Sequence, residues 1–166
     1  IFESWTEAIC GFSVAGPKSR EILQSLTNAF LNNDDFRFMR SKRIELAGIE
    51  VIALRVSFTG DLGWEVHCTT KNQIALYTAL LKTGKDFGAG PVGNRALMSL
   101  RVEKGYGSWS REYSPEYWPH EQGMDHLYNM NKNFLNKAAL IEVLEKEPRE
   151  KLVMLHLDED TVNASK

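Results

Sequence analysis

SKRIELAGIEVIALRVSFTGDLGWEVH, residues 41–67, decides the fold class. Two runs rich in Ile, Leu and Val meet at Ala47-Gly48, and a tight glycine turn between such runs reads as a β-hairpin. A hairpin requires an antiparallel pair, so although strands and helices alternate elsewhere, the class is α+β. The second arm, Val51 to Val56, reads as a buried strand that runs into TGDLG and resumes with Trp64, Glu65 and Val66. Gly60 and Gly63 supply turn conformations that other residues adopt only with strain. Two readings of this turn stand side by side. In one it is a plain connection with Glu65 facing water. In the other it opens a cleft lined by Phe58 or Trp64, with the carboxylate of Glu65 pointing in. A carboxylate beside aromatic rings suits a flat heterocycle with adjacent ring N–H and amino donors, because two parallel charge-assisted hydrogen bonds form in one plane.

Upstream, the apolar run Gly11–Ala15 reads as a strand. Gly16-Pro17 then makes a turn, Pro17 suits the first position of a helix, and Ile22, Leu23 and Leu26 follow at helical spacing. Downstream, residues 72–87 place Ile74, Leu76, Tyr77, Leu80 and Leu81 on one helical face, stopped by Gly88 and Gly90. Residues 94–104 form another helix through Leu97, Leu100 and Val102. A long aperiodic segment, 105–123, carries Trp109, Tyr113, Tyr117 and Trp118, a length that suggests function. A short strand near 127–130, a helix over 137–147 and a strand over 151–157 complete the expected order.

The chain has 166 residues, enough for about one domain, and 43% are hydrophobic and 25% charged. The formal charge of -2 provides no basic field to attract nucleic acid, and no apolar run spans a bilayer. Neither nucleic acid nor a membrane is therefore expected as a partner. Cys10 and Cys68, distant in sequence and outside any CxxC spacing, argue against a disulfide framework or zinc site and suit a reducing compartment. The four histidines show no metal-ligand spacing, so no metal is expected. The nucleophile elbow, P-loop and dinucleotide fingerprint are also missing. Arg101 and Glu103 are expected in ion pairs on a helix surface or interface. The start, which has neither an initiator Met nor a leader pattern, and the ending DEDTVNASK suggest a piece of a longer protein.

Four motifs fall in one order: VAGPKSREIL, ALRVSFTGDLGWEVH, LMSLRVEKGYGSW, and PHEQGM followed by NKNFLNKAAL. Together they resemble the glycine-cleavage T-protein family of folate-dependent aminomethyltransferases over nearly the whole chain. Within it, the likeness is greatest to the folate-binding half of dimethylglycine and sarcosine dehydrogenases or oxidases. The resemblance implies a T-protein-like fold of mixed sheets with flanking helices, present only in part, around a central hole that takes tetrahydrofolate. It assigns residues 1–157 to the folate-binding domain, lacking its N-terminal part, and 158–166 to the start of a C-terminal barrel subdomain or a tail.

The resemblance also assigns roles. Glu65 falls on the glutamate that hydrogen-bonds the amino edge of the pterin, and Phe58 stands where a site-lining tyrosine is common, keeping the ring without the hydroxyl. Tyr106 and Trp109 match the dehydrogenase-like pattern K-G-Y-x-S-W, and Leu97 replaces an arginine that reaches the folate tail in many members. The catalytic aspartate of the family lies upstream of this chain, as does any FAD domain, so no residue here is assigned to catalysis. The implied chemistry of the parent is transfer of a one-carbon unit from an oxidised methylamine to tetrahydrofolate; the isolated chain is expected to be inactive. Two alternatives remain open: a non-catalytic T-protein-like folate-binding or regulatory module, and a T-protein-like demethylase. A cytoplasmic or mitochondrial-matrix location, and self-association of the chain, are further expectations.

Overall fold

A computed structural model describes residues 2–156. The polypeptide divides into two compact units, Ile1–Tyr106 and Gly107–Lys166. In the first unit the elements run β1 (Ile9–Ala15), α1 (Ser19–Gln24), β2 (Ser41–Leu46), β3 (Ile49–Leu54), β4 (Gly63–Thr69), α2 (Gln73–Lys85) and α3 (Asn94–Glu103), with a 3-10 turn at Thr70–Asn72.

The hairpin forms as its sequence predicts. β2 pairs antiparallel with β3, and Ala47 and Gly48 both hold positive φ, 50° and 78°, the conformation of a type I′ turn. β3 pairs with β4 and β4 with β1, giving a four-stranded antiparallel sheet in the order β1-β4-β3-β2. The α+β class follows directly. α1 is shorter than expected. Pro17 lies before the helix, Gly16 at φ 121° turns the chain, and Ser19 is the first helical residue.

Period-two alternation divides the sheet into two faces. Val14, Trp64, Val66, Ala53, Val51 and Leu46 face the core, where Ile22 and Leu23 of α1, Leu76 and Leu80 of α2, and Leu31 and Phe36 of the connection pack. α2 corrects part of the sequence expectation. Its buried stripe is Leu76, Leu80 and Gly84, one residue every four, whereas Ile74 is 80% exposed. Tyr77, at the margin of the stripe, stacks on Phe12 at 5.8 Å.

The second unit contains a 3-10 turn, Asp125–Leu127, and α4 (Lys137–Leu144), which is shorter than the expected helix. Neither expected strand is present among the described residues. Leu127 ends the 3-10 turn, 128–130 follow it without regular structure, and 151–156 have none either; Leu157 and the expected 158–166 segment lie outside the described residues. A strand needs a ladder partner, and backbone groups here go to irregular contacts instead, such as Leu152 N–H donating to the Glu121 carbonyl at 2.8 Å. Among the described residues no helix is long and apolar enough to cross a membrane.

Candidate functional site

Two of the sequence motifs meet at one carbonyl. The Leu62 carbonyl, at the end of the TGDLG turn, accepts the backbone N–H of Gly16 at 2.8 Å and the hydroxyl of buried Ser19 at 2.9 Å. VAGPKS therefore fixes the point at which β4 begins. Gly63 opens the strand without a positive φ, correcting its expected turn conformation, and a β-carbon there would be crowded, 3.0 Å from the Val14 carbonyl oxygen and 3.1 Å from the Ala15 β-carbon. Gly60, at φ 74°, takes the left-handed turn, and the stem of Lys104, from the C-terminus of α3, lies 2.8 Å from where its β-carbon would stand. The Lys104 ammonium reaches the Asp61 carboxylate at 3.1 Å.

From this anchored start β4 sends Trp64 and Glu65 to opposite faces. Trp64 is fully buried against Phe36, ring centres 6.3 Å apart, with the guanidinium groups of Arg20 and Arg55 5.8 and 5.7 Å from its centroid. It belongs to the core, so the expectation that Trp64 lines a cleft is corrected; Phe58, half-buried in the turn, keeps that possibility. Glu65 is on the other face, its side chain 42% exposed.

The register defines its neighbours. Glu65 is opposite Ser13 on β1 and Leu54 on β3, and His67 is opposite Gly11 and Ile52. Hydrogen bonds from Thr70 N–H to Ala8 and from Gly16 N–H to Leu62 bracket the β1–β4 ladder. Alternation then makes Ser13–Glu65 and Gly11–His67 non-hydrogen-bonded pairs, in which side chains approach most closely. His67 Nε2 comes within 3.6 Å of Glu65 Oε2, an ion pair when the imidazole is protonated. Gly11, Ser13 and Ala15 are exposed, so the strand beside Glu65 offers a low, open surface. The result is a carboxylate on an accessible shelf, bordered by small residues on one side and by Leu54 and Ile52 on the other.

The other expected site residues stand apart from this shelf in character. Tyr106 closes the first unit, 43% exposed, its backbone held by Arg101: Tyr106 N–H donates to the Arg101 carbonyl at 2.8 Å and Arg101 Nη1 donates to the Tyr106 carbonyl at 3.0 Å. Arg101 is buried, so of its two expected places, a helix surface or an interface, the surface is excluded. Trp109 is in the second unit, 80% exposed, edge-on to Tyr113 at 6.3 Å.

In the PHEQGM segment, Glu121 is buried and consumed by structure. Arg149 donates from Nη2 to Oε2 at 2.7 Å, from Nε to Oε1 at 3.0 Å and from its backbone N–H to Oε1 at 2.8 Å; the Trp118 N–H adds a bond to Oε2 at 2.8 Å. The Arg149 side chain, opposed by burial and assisted by the two amides, holds the Glu121 carboxyl down to about 2. A cavity of about 410 Å³ in this unit, bordered by Arg111, Tyr117, Gln122 and Lys151, includes none of the four expected site residues. Among the described residues no group of three His, Cys, Asp or Glu side chains is placed to hold a metal.

Sequence reasoning missed His67, Ser13 and Lys104. Counting by twos from Glu65 would have found His67; Ser13 needs the strand pairing, and Lys104 needs the tertiary fold.

Comparison with known proteins agrees with the motif order. The chain is 35% identical over 160 residues to mitochondrial dimethylglycine dehydrogenase of Homo sapiens, covering 95% of this chain and 18% of that protein. It is 35% identical over 150 residues to mitochondrial sarcosine dehydrogenase of Mus musculus, covering 89% of this chain and 16% of that protein. With an aminomethyltransferase of Caldanaerobacter subterraneus it shares 32% identity over 152 residues, 91% of this chain and 40% of that protein. The chain thus spans less than a fifth of the two dehydrogenases. Residues 1–132 match the GCVT N-terminal domain, and the chain belongs to that family.

Proposed function

We propose that this chain is the pterin-holding part of a tetrahydrofolate-dependent protein that transfers one-carbon units from oxidised methylamines of the dimethylglycine or sarcosine type. The observation that carries the reading is the placement of Glu65: an accessible carboxylate on a shelf whose β1 side is glycine, serine and alanine. The donor chemistry fits. A carboxylate accepts two parallel hydrogen bonds from a ring N–H and its adjacent amino group, and the absence of bulk at Gly11, Ser13 and Ala15 leaves space for a flat ring to approach. Bound tetrahydrofolate supplies the nucleophilic nitrogen that accepts the one-carbon unit.

The residues of this chain bind and orient. Glu65 fixes the amino edge of the pterin, the Phe58 ring borders it, and Tyr106, of the same unit, supplies further aromatic surface. Their contribution to rate is positional, since a correctly held reactant removes much of the entropic barrier. The names of the relatives support the substrate class, and the word mitochondrial in two of them supports a mitochondrial location.

The test is Glu65→Gln in the full-length protein, with tetrahydrofolate affinity measured by calorimetry. Loss of a charge-assisted hydrogen bond predicts weakening by about 1.5–3 kcal/mol, roughly 10- to 150-fold. Unchanged affinity in a folded variant removes Glu65 from the site.

A further inference from the structure

The sheet's core face carries a second pairing that the folate reading does not use. Cys10 and Cys68, distant in sequence, are directly opposite one another in the β1–β4 ladder, with sulfurs 3.5 Å apart. The ladder phase makes them a hydrogen-bonded pair, for which the Cα atoms stand about 5.5 Å apart. That distance falls at the usual value for a disulfide. Closing the sulfurs to about 2.05 Å therefore needs side-chain rotation and a small inward movement of edge strand β1, since β-carbons of a hydrogen-bonded pair stand about 5.5 Å apart and a disulfide holds them at about 3.5–4.5 Å. The chain contains 2 cysteines, so neither has another partner within it.

We propose that Cys10 and Cys68 form a reversible dithiol–disulfide pair, oxidised by a hydroperoxide at Cys10 and resolved by Cys68. Accessibility sets the order: Cys10 is half-buried and Cys68 buried. The Cys10 thiolate attacks one peroxide oxygen, the O–O bond breaks, and the departing hydroxide or alkoxide takes up a proton. Cys10 is then a sulfenic acid. The Cys68 sulfur attacks the Cys10 sulfur, the S–O bond breaks, and the hydroxyl leaves with the Cys68 proton as water. In sum, two thiols lose two electrons and two protons, and hydrogen peroxide becomes two waters. Burial, then the contact with Cys10, pushes the Cys68 thiol up to about 11, which disfavours Cys68 as the first thiol to react; its proton passes to the leaving hydroxyl as it attacks in the second step.

The bond would have a mechanical effect. β1 is an edge strand, and a link spanning 58 residues ties it to β4, restricting the unfolded chain far more than the folded one.

The experiment treats the reduced full chain with hydrogen peroxide. The expected result is an intact mass lower by two hydrogens, loss of both titratable thiols, a monomer on non-reducing electrophoresis, a Tm raised by several degrees, and full reversal by dithiothreitol. Cys68→Ser is expected to trap a dimedone-reactive sulfenic acid at Cys10, and Cys10→Ser to leave the Cys68 thiol titratable. The proposal is overturned by two thiols that still titrate after peroxide, by a disulfide-linked dimer, or by a sulfinic acid at Cys10 beside a free Cys68. Because the readouts are thiol chemistry and stability, they are independent of tetrahydrofolate affinity.

Discussion

The imidazole of His67 lies across Gly11, its Nδ1 2.7 Å from the point that a β-carbon on residue 11 would occupy. The non-hydrogen-bonded pairing brings the two residues together, and the missing side chain gives the ring its place. In that position Nε2 faces Glu65. Gly11→Ala is therefore expected to displace the ring and to release the Glu65 carboxylate. Tetrahydrofolate affinity of the full-length protein should fall by about 0.5–1 kcal/mol, the scale of an accessible ion pair, and His67→Ala should give the same loss. Calorimetry on both variants and the double variant checks it. Additive losses in the double variant would show that Gly11 acts on affinity by some route other than His67.

The turn before Glu65 is held by backbone conformation more than by charge. Gly60 has φ 74°, and the Lys104 side chain, 46% exposed, covers it while its ammonium meets Asp61. Gly60→Ala is expected to destabilise the chain by about 1–2 kcal/mol through left-handed strain, and by more because the Lys104 stem must move. Lys104→Met keeps most of the stem, drops the charge, and should cost less than about 1 kcal/mol. Urea denaturation of the two variants measures the contrast. Equal losses would show that the ion pair, and not the glycine, fixes the turn.

What was legible in the sequence was the local part of this arrangement. Ala47-Gly48 specifies its own turn, and the alternation through Trp64-Glu65-Val66 already implies that a buried Trp64 leaves Glu65 on the opposite face. That second step follows from pleat geometry alone, and it rules out the joint cleft of Trp64 and Glu65. Contacts between distant segments were not legible. Cys10–Cys68, Gly11–His67 and Lys104–Asp61 depend on which strands pair and where α3 ends. The two expected strands near 127–130 and 151–157 failed for a related reason: an apolar run becomes a strand only beside a partner, and the second unit builds its contacts around Glu121 instead. Of the two places expected for Arg101, a helix surface or an interface, burial excludes the surface, and its guanidinium donates to a backbone carbonyl.

α2 offers a test of which apolar residues carry stability. Leu76 is fully buried beneath the sheet, while Ile74, two residues earlier, is exposed. Leu76→Ala should cost about 2–5 kcal/mol, covering lost transfer energy and the cavity left behind. Ile74→Ala should remain within about 0.5 kcal/mol, as for a surface change away from packing. Chemical denaturation of each variant separates the two. Comparable losses would place Ile74 in the core and overturn the helix phase described above.

The Glu121–Arg149 pair makes the second unit sensitive to acid. The carboxyl sits at about 2 when folded, against an ordinary 4.5, so the folded state holds its proton less readily than the unfolded chain. Its stabilising contribution is complete above about pH 4.5 and is lost as pH falls toward 2. Glu121→Gln removes this titration. The wild-type denaturation midpoint should therefore fall more steeply than the variant's between these limits, and the difference between the two curves isolates this carboxyl from the others. Trp118 provides a local probe, since the Arg149 guanidinium lies 4.3 Å over its ring and leaves when the pair separates. Its fluorescence should change across the same acid interval in the wild type. Parallel midpoint curves in wild type and variant would mean that Glu121 does not couple protonation to folding.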